Sequence, residues 1–94
     1  MIIVWSRRAL RHSVYIRQHS EKDSEQNAVL VASRILEAAD LLQSHPEIGR
    51  PGRVVGTREL VVPRTPYVIP YRVRRGRLEL IAVFHGRQKW PLKL

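Results

Sequence analysis

The run Tyr67-Val68-Ile69-Pro70-Tyr71-Arg72-Val73-Arg74-Arg75-Gly76-Arg77-Leu78-Glu79-Leu80-Ile81-Ala82-Val83-Phe84 decides the fold. It reads as two strands, Tyr67 to Arg74 and Leu78 to Phe84, joined by a turn at Arg75-Gly76. So short a link admits only antiparallel pairing, because a parallel crossover needs about a dozen residues or more. Pro70 removes a ladder donor from the first strand, so it belongs at a bulge or with its nitrogen facing outward. Upstream, Thr57 to Val62 reads as a third strand, set off by the turn Pro63-Arg64-Thr65-Pro66. The three strands form an antiparallel meander.

The chain before the meander reads as helix. Ala28, Val31, Ala32, Ile35, Leu36, Ala39 and Leu42 recur at helical spacing. His45-Pro46 and Gly49 stop that helix. Asp23 or Ser24 caps its start, with Gln26 at the capping-box distance from Asp23. An earlier helix follows the short strand Ile2 to Trp5. Ser6 caps it, Ala9, Leu10, Ser13, Val14 and Arg17 share one face, and it ends near His19-Ser20. The expected fold is therefore α+β, in the order β-α-α-β-β-β. An N-terminal strand joins the meander, and the helical hairpin packs on one face of the sheet. The chain of 94 residues is expected to form one domain, 1–94, with 1–49 holding the strand and hairpin and 50–94 the basic sheet and tail.

Charge divides at the same place. Met1 to Gly49 carries six Lys/Arg and six Asp/Glu, whereas Arg50 to Leu94 carries eleven and two, the whole net charge of +9. This predicts a cationic face on the sheet, turned away from the helices, that meets a polyanion or an acidic protein. The hydrophobic fraction of 44% argues for a globular fold. Without cysteine there is no disulfide, thiolate metal site or cysteine nucleophile. No signal peptide or membrane span is visible, so the reading is a cytoplasmic protein with no membrane partner. His12 and His19 lack further ligands for a metal. Gly49, Gly52 and Gly56 lack the Lys-Ser/Thr ending of a phosphate loop. No cofactor is expected.

Leu41-Leu42-x-x-His45-Pro46-x-x-Gly49-Arg50, Gly56-Thr57-Arg58-Glu59-Leu60, Tyr67-Val68-Ile69-Pro70-Tyr71-Arg72-Val73 and Leu78-Glu79-Leu80-Ile81-Ala82-Val83-Phe84-His85, in this order and spacing, resemble the RelE/ParE superfamily. These are the toxins of type II toxin–antitoxin modules, and the resemblance covers nearly the whole chain. It implies a growth-inhibiting toxin of the plasmid-stabilisation kind, neutralised by a cognate antitoxin. RelE-like members cleave mRNA on the ribosome, and ParE-like members poison DNA gyrase without being nucleases. RelE-like members place an arginine three residues before the middle strand's tyrosine; here Val68 stands there. Their lysines on the preceding strand are also unmatched in Thr57-Arg58-Glu59-Leu60-Val61-Val62. Tyr71-Arg72-Val73 and Val83-Phe84-His85 look ParE-like, which favours gyrase as the target and a protein that is not an enzyme.

Two alternatives compete with that expectation. In a ribosome-dependent endoribonuclease, Glu59, Arg72 and His85 are the catalytic candidates, with Arg58 as a further cation and Arg87 and Lys89 as phosphate ligands. In a non-toxic module, the cationic face simply binds nucleic acid. For target or antitoxin binding the candidates are Arg50, Arg53, Arg58, Arg72, Arg74, Arg87, Lys89 and Trp90. The same side chains also admit plain structural roles. Arg58 and Arg72 can pair with Glu59 and Glu79 across the sheet, Tyr67 and Tyr71 can pack the core with Ile69, and Trp90 can anchor the tail.

Overall fold

Ser6 turns the chain from strand to helix. Its Oγ accepts the Ala9 N–H at 2.9 Å and donates to the Ile81 carbonyl at 2.7 Å, so one hydroxyl caps a helix and pins it to the sheet. In the computed structural model, which describes residues 1–20 and 25–91, β1 (Ile2–Trp5) leads through Ser6 into α1 (Arg7–Ser20). Then follow α2 (Glu25–Ser44), β2 (Arg50–Pro51), β3 (Arg58–Val61), β4 (Tyr67–Arg74), β5 (Arg77–Leu80) and β6 (Phe84–His85). The expected cap at Asp23 or Ser24 lies outside the described residues.

α2 buries Ala28, Val31, Ile35, Ala38, Ala39 and Leu42. This is the expected stripe with Ala38 added and Leu36 turned outward. α1 departs further. Ala9 and Ile16 are buried, while Leu10 and Val14, expected on the inner face, are about half exposed. The reason is tertiary: the Val83 N–H donates to His12 Nδ1 at 3.2 Å, which rotates the helix to bring His12 inward. A polar contact with the sheet overrides the apolar count.

The sheet runs β1-β5-β4-β3-β2, with β6 also paired to β4. β1 is a parallel edge strand on β5, with Trp5 opposite Leu80. The expected meander is present as β3, β4 and β5, all antiparallel. The two-residue strands β2 and β6 were not legible in the sequence. The expected strand Leu78–Phe84 is instead β5 and β6, broken between Leu80 and Phe84. Tyr71 pairs with Leu80, but Val68 pairs with Phe84, so the register slips by one residue. That is a bulge, and it lies opposite Pro70, whose carbonyl accepts the Ile81 N–H at 2.9 Å. Pro70 has no N–H to continue the ladder.

The bulge sends side chains to both sides. Leu80 and Val83 join the main core under the helices, with Ile69, Tyr71 and Leu78. Ile81, Ala82 and Phe84 form a second, smaller cluster against which Trp90 packs.

Tyr71 is fully buried. Its hydroxyl accepts the Gly49 N–H at 2.9 Å and donates to the Pro46 carbonyl at 2.8 Å. A Cβ on Gly49 would lie 2.6 Å from the ring, so only glycine fits. Replacing Tyr71 by Phe leaves the buried Gly49 N–H unpaired, a cost of roughly 1–3 kcal/mol, and removes the donor to the partly buried Pro46 carbonyl. Tyr71→Phe should therefore lower the urea unfolding midpoint with an unchanged slope; an unchanged midpoint would refute this role for the hydroxyl.

Candidate functional site

On β3 and β4 the side chains alternate. Leu60, Ile69 and Tyr71 face the helices, so Glu59, Pro70 and Arg72 face away. Glu59 is only 3% exposed, although it lies on the side without helices. Its cover is made by its own partners. Arg50, opposite it in register, donates from Nε at 3.3 Å and Nη2 at 3.1 Å to Oε1. The Arg53 backbone N–H donates to Oε2 at 2.8 Å, and Arg53 Nε lies 3.5 Å from the same oxygen. Charge-assisted bonds of this number satisfy a buried carboxylate.

Arg53 then carries the structure outward. Its guanidinium sits 3.8 Å above the Trp90 ring, a cation–π contact, and Trp90 packs on Phe84 with centroids 4.8 Å apart. Carboxylate, guanidinium, indole and phenyl thus form one stack that roofs the second apolar cluster and anchors the tail. Arg72 and Arg74 close on Glu79 Oε1 at 3.1 and 3.2 Å. These pairs are partly exposed and contribute orientation more than stability.

The other candidates lie apart. Arg58 shares the face of Tyr71, and its Nη1 donates to the carbonyls of Glu47 (3.2 Å) and Gly49 (2.8 Å), so it holds the end of the helical hairpin instead of pairing with Glu59. His85 pairs with Tyr67 in register and meets its ring edge-on at 5.7 Å. Its Nδ1 accepts the Arg87 N–H at 3.1 Å. Because Tyr67 and Pro70 point to opposite faces of β4, His85 lies across the sheet from Glu59. The catalytic candidates Glu59, Arg72 and His85 therefore do not converge on one reacting atom. Arg87 and Lys89 are exposed on the tail. His85 lines a cavity of about 510 Å³ with His12, Tyr15, His19 and Tyr67. Burial raises the Tyr67 hydroxyl above its usual range, and Tyr15 adds to this.

Sequence reasoning missed two surfaces. Arg7, Arg8 and Arg11 line a groove of about 340 Å³ with Arg72 and Glu79. The signal was present: two arginines and a third one turn later, directly after a cap. The other is an apolar groove of about 680 Å³ between the helices, bordered by Trp5, Leu10, Val14 and Leu36. Among the described residues, no His, Cys, Asp or Glu cluster is placed to hold a metal, and no helix is long and apolar enough to cross a membrane.

A family model, the ParE toxin of the type II toxin–antitoxin system parDE, matches residues 3–90. The candidate toxin Y4kP of Sinorhizobium fredii is 46% identical over 89 residues, spanning 95% of this chain and 92% of that protein. Toxin RelE2 of Caulobacter vibrioides is 36% identical over 84 residues, spanning 89% and 93%. A chain from the chromosomal ParDE toxin–antitoxin system of P. aeruginosa superposes with a TM-score of 0.84 at 26% identity, over 90% of this chain and 95% of that one.

His12 couples the stability of the fold to pH. Burial, then the neighbouring Arg8, holds its pKa below the ordinary 6.5. The unfolded chain therefore takes up the proton first as pH falls through about 6.5, and stability is lost from there down to the folded pKa. It is fully present above that window. In His12→Gln the drop in unfolding midpoint between about pH 7 and pH 5 should be smaller than in the wild type. An equal drop in both proteins would remove His12 as the cause.

Proposed function

This chain belongs to the ParE toxin family of type II toxin–antitoxin systems, and we propose that it arrests growth in the cytoplasm by poisoning DNA gyrase, until a cognate antitoxin neutralises it. One observation carries the choice of gyrase over messenger RNA. Cleavage of RNA through a 2′-hydroxyl needs an acceptor, a donor and cations around one phosphate. Here Glu59 is enclosed by Arg50 and Arg53, Arg72 is held by Glu79, and His85 lies on the opposite face. What remains is a surface suited to binding, in which Arg50, Arg53, Arg72, Arg74, Arg87 and Lys89 carry charge outward. Such a surface favours fast, oriented association with an acidic partner.

The antitoxin reading rests on the groove between α1 and α2. Leu10, Val14 and Leu36 are 51%, 57% and 58% exposed along it. An amphipathic antitoxin segment that folds on binding would bury them. The relative from P. aeruginosa is itself part of a toxin–antitoxin system.

The test is the purified chain with gyrase and supercoiled plasmid. Linear DNA should accumulate once the enzyme is denatured and digested, and added antitoxin should abolish it. Val14→Asp/Leu36→Asp should keep the fold, since both side chains are half exposed, yet weaken antitoxin binding by at least about tenfold, the loss of one anchoring contact. Intact plasmid DNA, with translated messages cut in expressing cells, would refute the gyrase reading in favour of the ribonuclease.

A further inference from the structure

The first turn of α1 breaks a rule that stable helices keep. The positive end of a helix favours acidic side chains, yet this turn has none and carries Arg7 and Arg8, with Arg11 one turn on. Among the described residues these three arginines make no ion pair and no side-chain hydrogen bond. All three are exposed. Cations gathered at an unfavourable place without an internal partner mark a position kept for something outside the chain.

The fold brings them to further arginines. The groove of about 340 Å³ runs between Arg7, Arg8 and Arg11 of α1 and Arg72 of β4. Arg74 reaches the same Glu79 oxygen as Arg72. Four arginines thus line a groove that holds one carboxylate, and that carboxylate is already engaged by Arg72 and, from beside the groove, Arg74. Every cation is arginine, whose planar fork pairs bidentately with phosphate oxygens. The apolar residues at its floor, Leu80 and Ile81, are buried, so a peptide would find no anchor here. Peptide anchors are concentrated in the separate α1–α2 groove.

We propose that the α1–β4 arginine groove binds the phosphodiester backbone of a nucleic acid. If the gyrase reading holds, the groove would engage the DNA on which that enzyme acts. In that sense the inference rests on the reading above, but DNA binding is measured without gyrase and stands or falls on its own.

The experiment titrates a labelled mixed-sequence DNA duplex with the full chain at several salt concentrations. Affinity should fall linearly with salt on a double-logarithmic plot, because neutralised phosphates release counterions. Arg8→Glu should weaken binding roughly five- to tenfold at low salt and lessen the slope by about 0.9 for a lost phosphate contact. Its unfolding midpoint should not fall, since an acid there suits the helix dipole; this separates lost binding from lost fold. Arg34→Glu, the same change of charge beside the α2–β3 cleft, should bind like the wild type. A single-stranded RNA competitor that displaces the duplex equally well supports recognition of the shared backbone, and one that displaces it poorly assigns the groove to DNA. No binding at low salt, equal losses in Arg8→Glu and Arg34→Glu, or displacement by polyglutamate as effective as by unlabelled duplex would overturn the proposal. Intact DNA binding with no gyrase poisoning would count against the gyrase reading alone.

Discussion

A buried carboxylate organises the side of this sheet that the helices leave open. Glu59 draws Arg50 and Arg53 over itself, and Arg53 in turn lies on Trp90. An unpaired carboxylate in that position would be strongly unfavourable. The loop after β2 therefore closes, and the closing places the indole over Phe84. On the opposite face the adjacent residue, Arg58, works with its register partner Tyr71 on the same stretch of chain. They take up the carbonyls of Pro46, Glu47 and Gly49 and the Gly49 N–H. The connection from α2 into the sheet is thus fastened from both faces by neighbouring residues of β3.

This arrangement explains how so cationic a chain keeps its charge outward. Two carboxylates of the basic half, Glu59 and Glu79, each hold two arginines by one end while much of each guanidinium stem stays in solvent. The Glu79 pairs orient their arginines more than they stabilise the fold, whereas the Glu59 pairs satisfy a buried carboxylate. The apolar opening between the helices and the arginine groove at the start of α1 are separate surfaces of different chemistry.

Much of this was readable beforehand, and the failures have physical causes. β4 was legible end to end, because its apolar run and flanking turns agree. A missing donor at Pro70 left two options, a bulge or an outward-facing nitrogen, and the register shows the bulge. The inner face of α1 was misplaced because a hydrogen bond from Val83, seventy-one residues away, sets its rotation. The split of the last strand into β5 and β6 needed the register, which no local pattern contains. The enclosure of Glu59 was not legible, because its partners are Arg50 on the two-residue strand β2 and Arg53 in the loop after it, both placed by the fold. Likewise Arg7, Arg8 and Arg11 belong to the half of the chain with no net charge, and only the parallel pairing of β1 with β5 carries them to Arg72.

Glu59, held by Arg50 and Arg53, is placed as a structural clasp. Hydrogen exchange of the Arg53 amide and the Trp90 indole in Glu59→Gln, against the wild type, tests that role most directly. Loss of the carboxylate should release the Arg53 loop and its indole, so both groups should exchange faster. Unchanged exchange at both, in a variant that no longer arrests growth, would contradict the account and return Glu59 to catalysis.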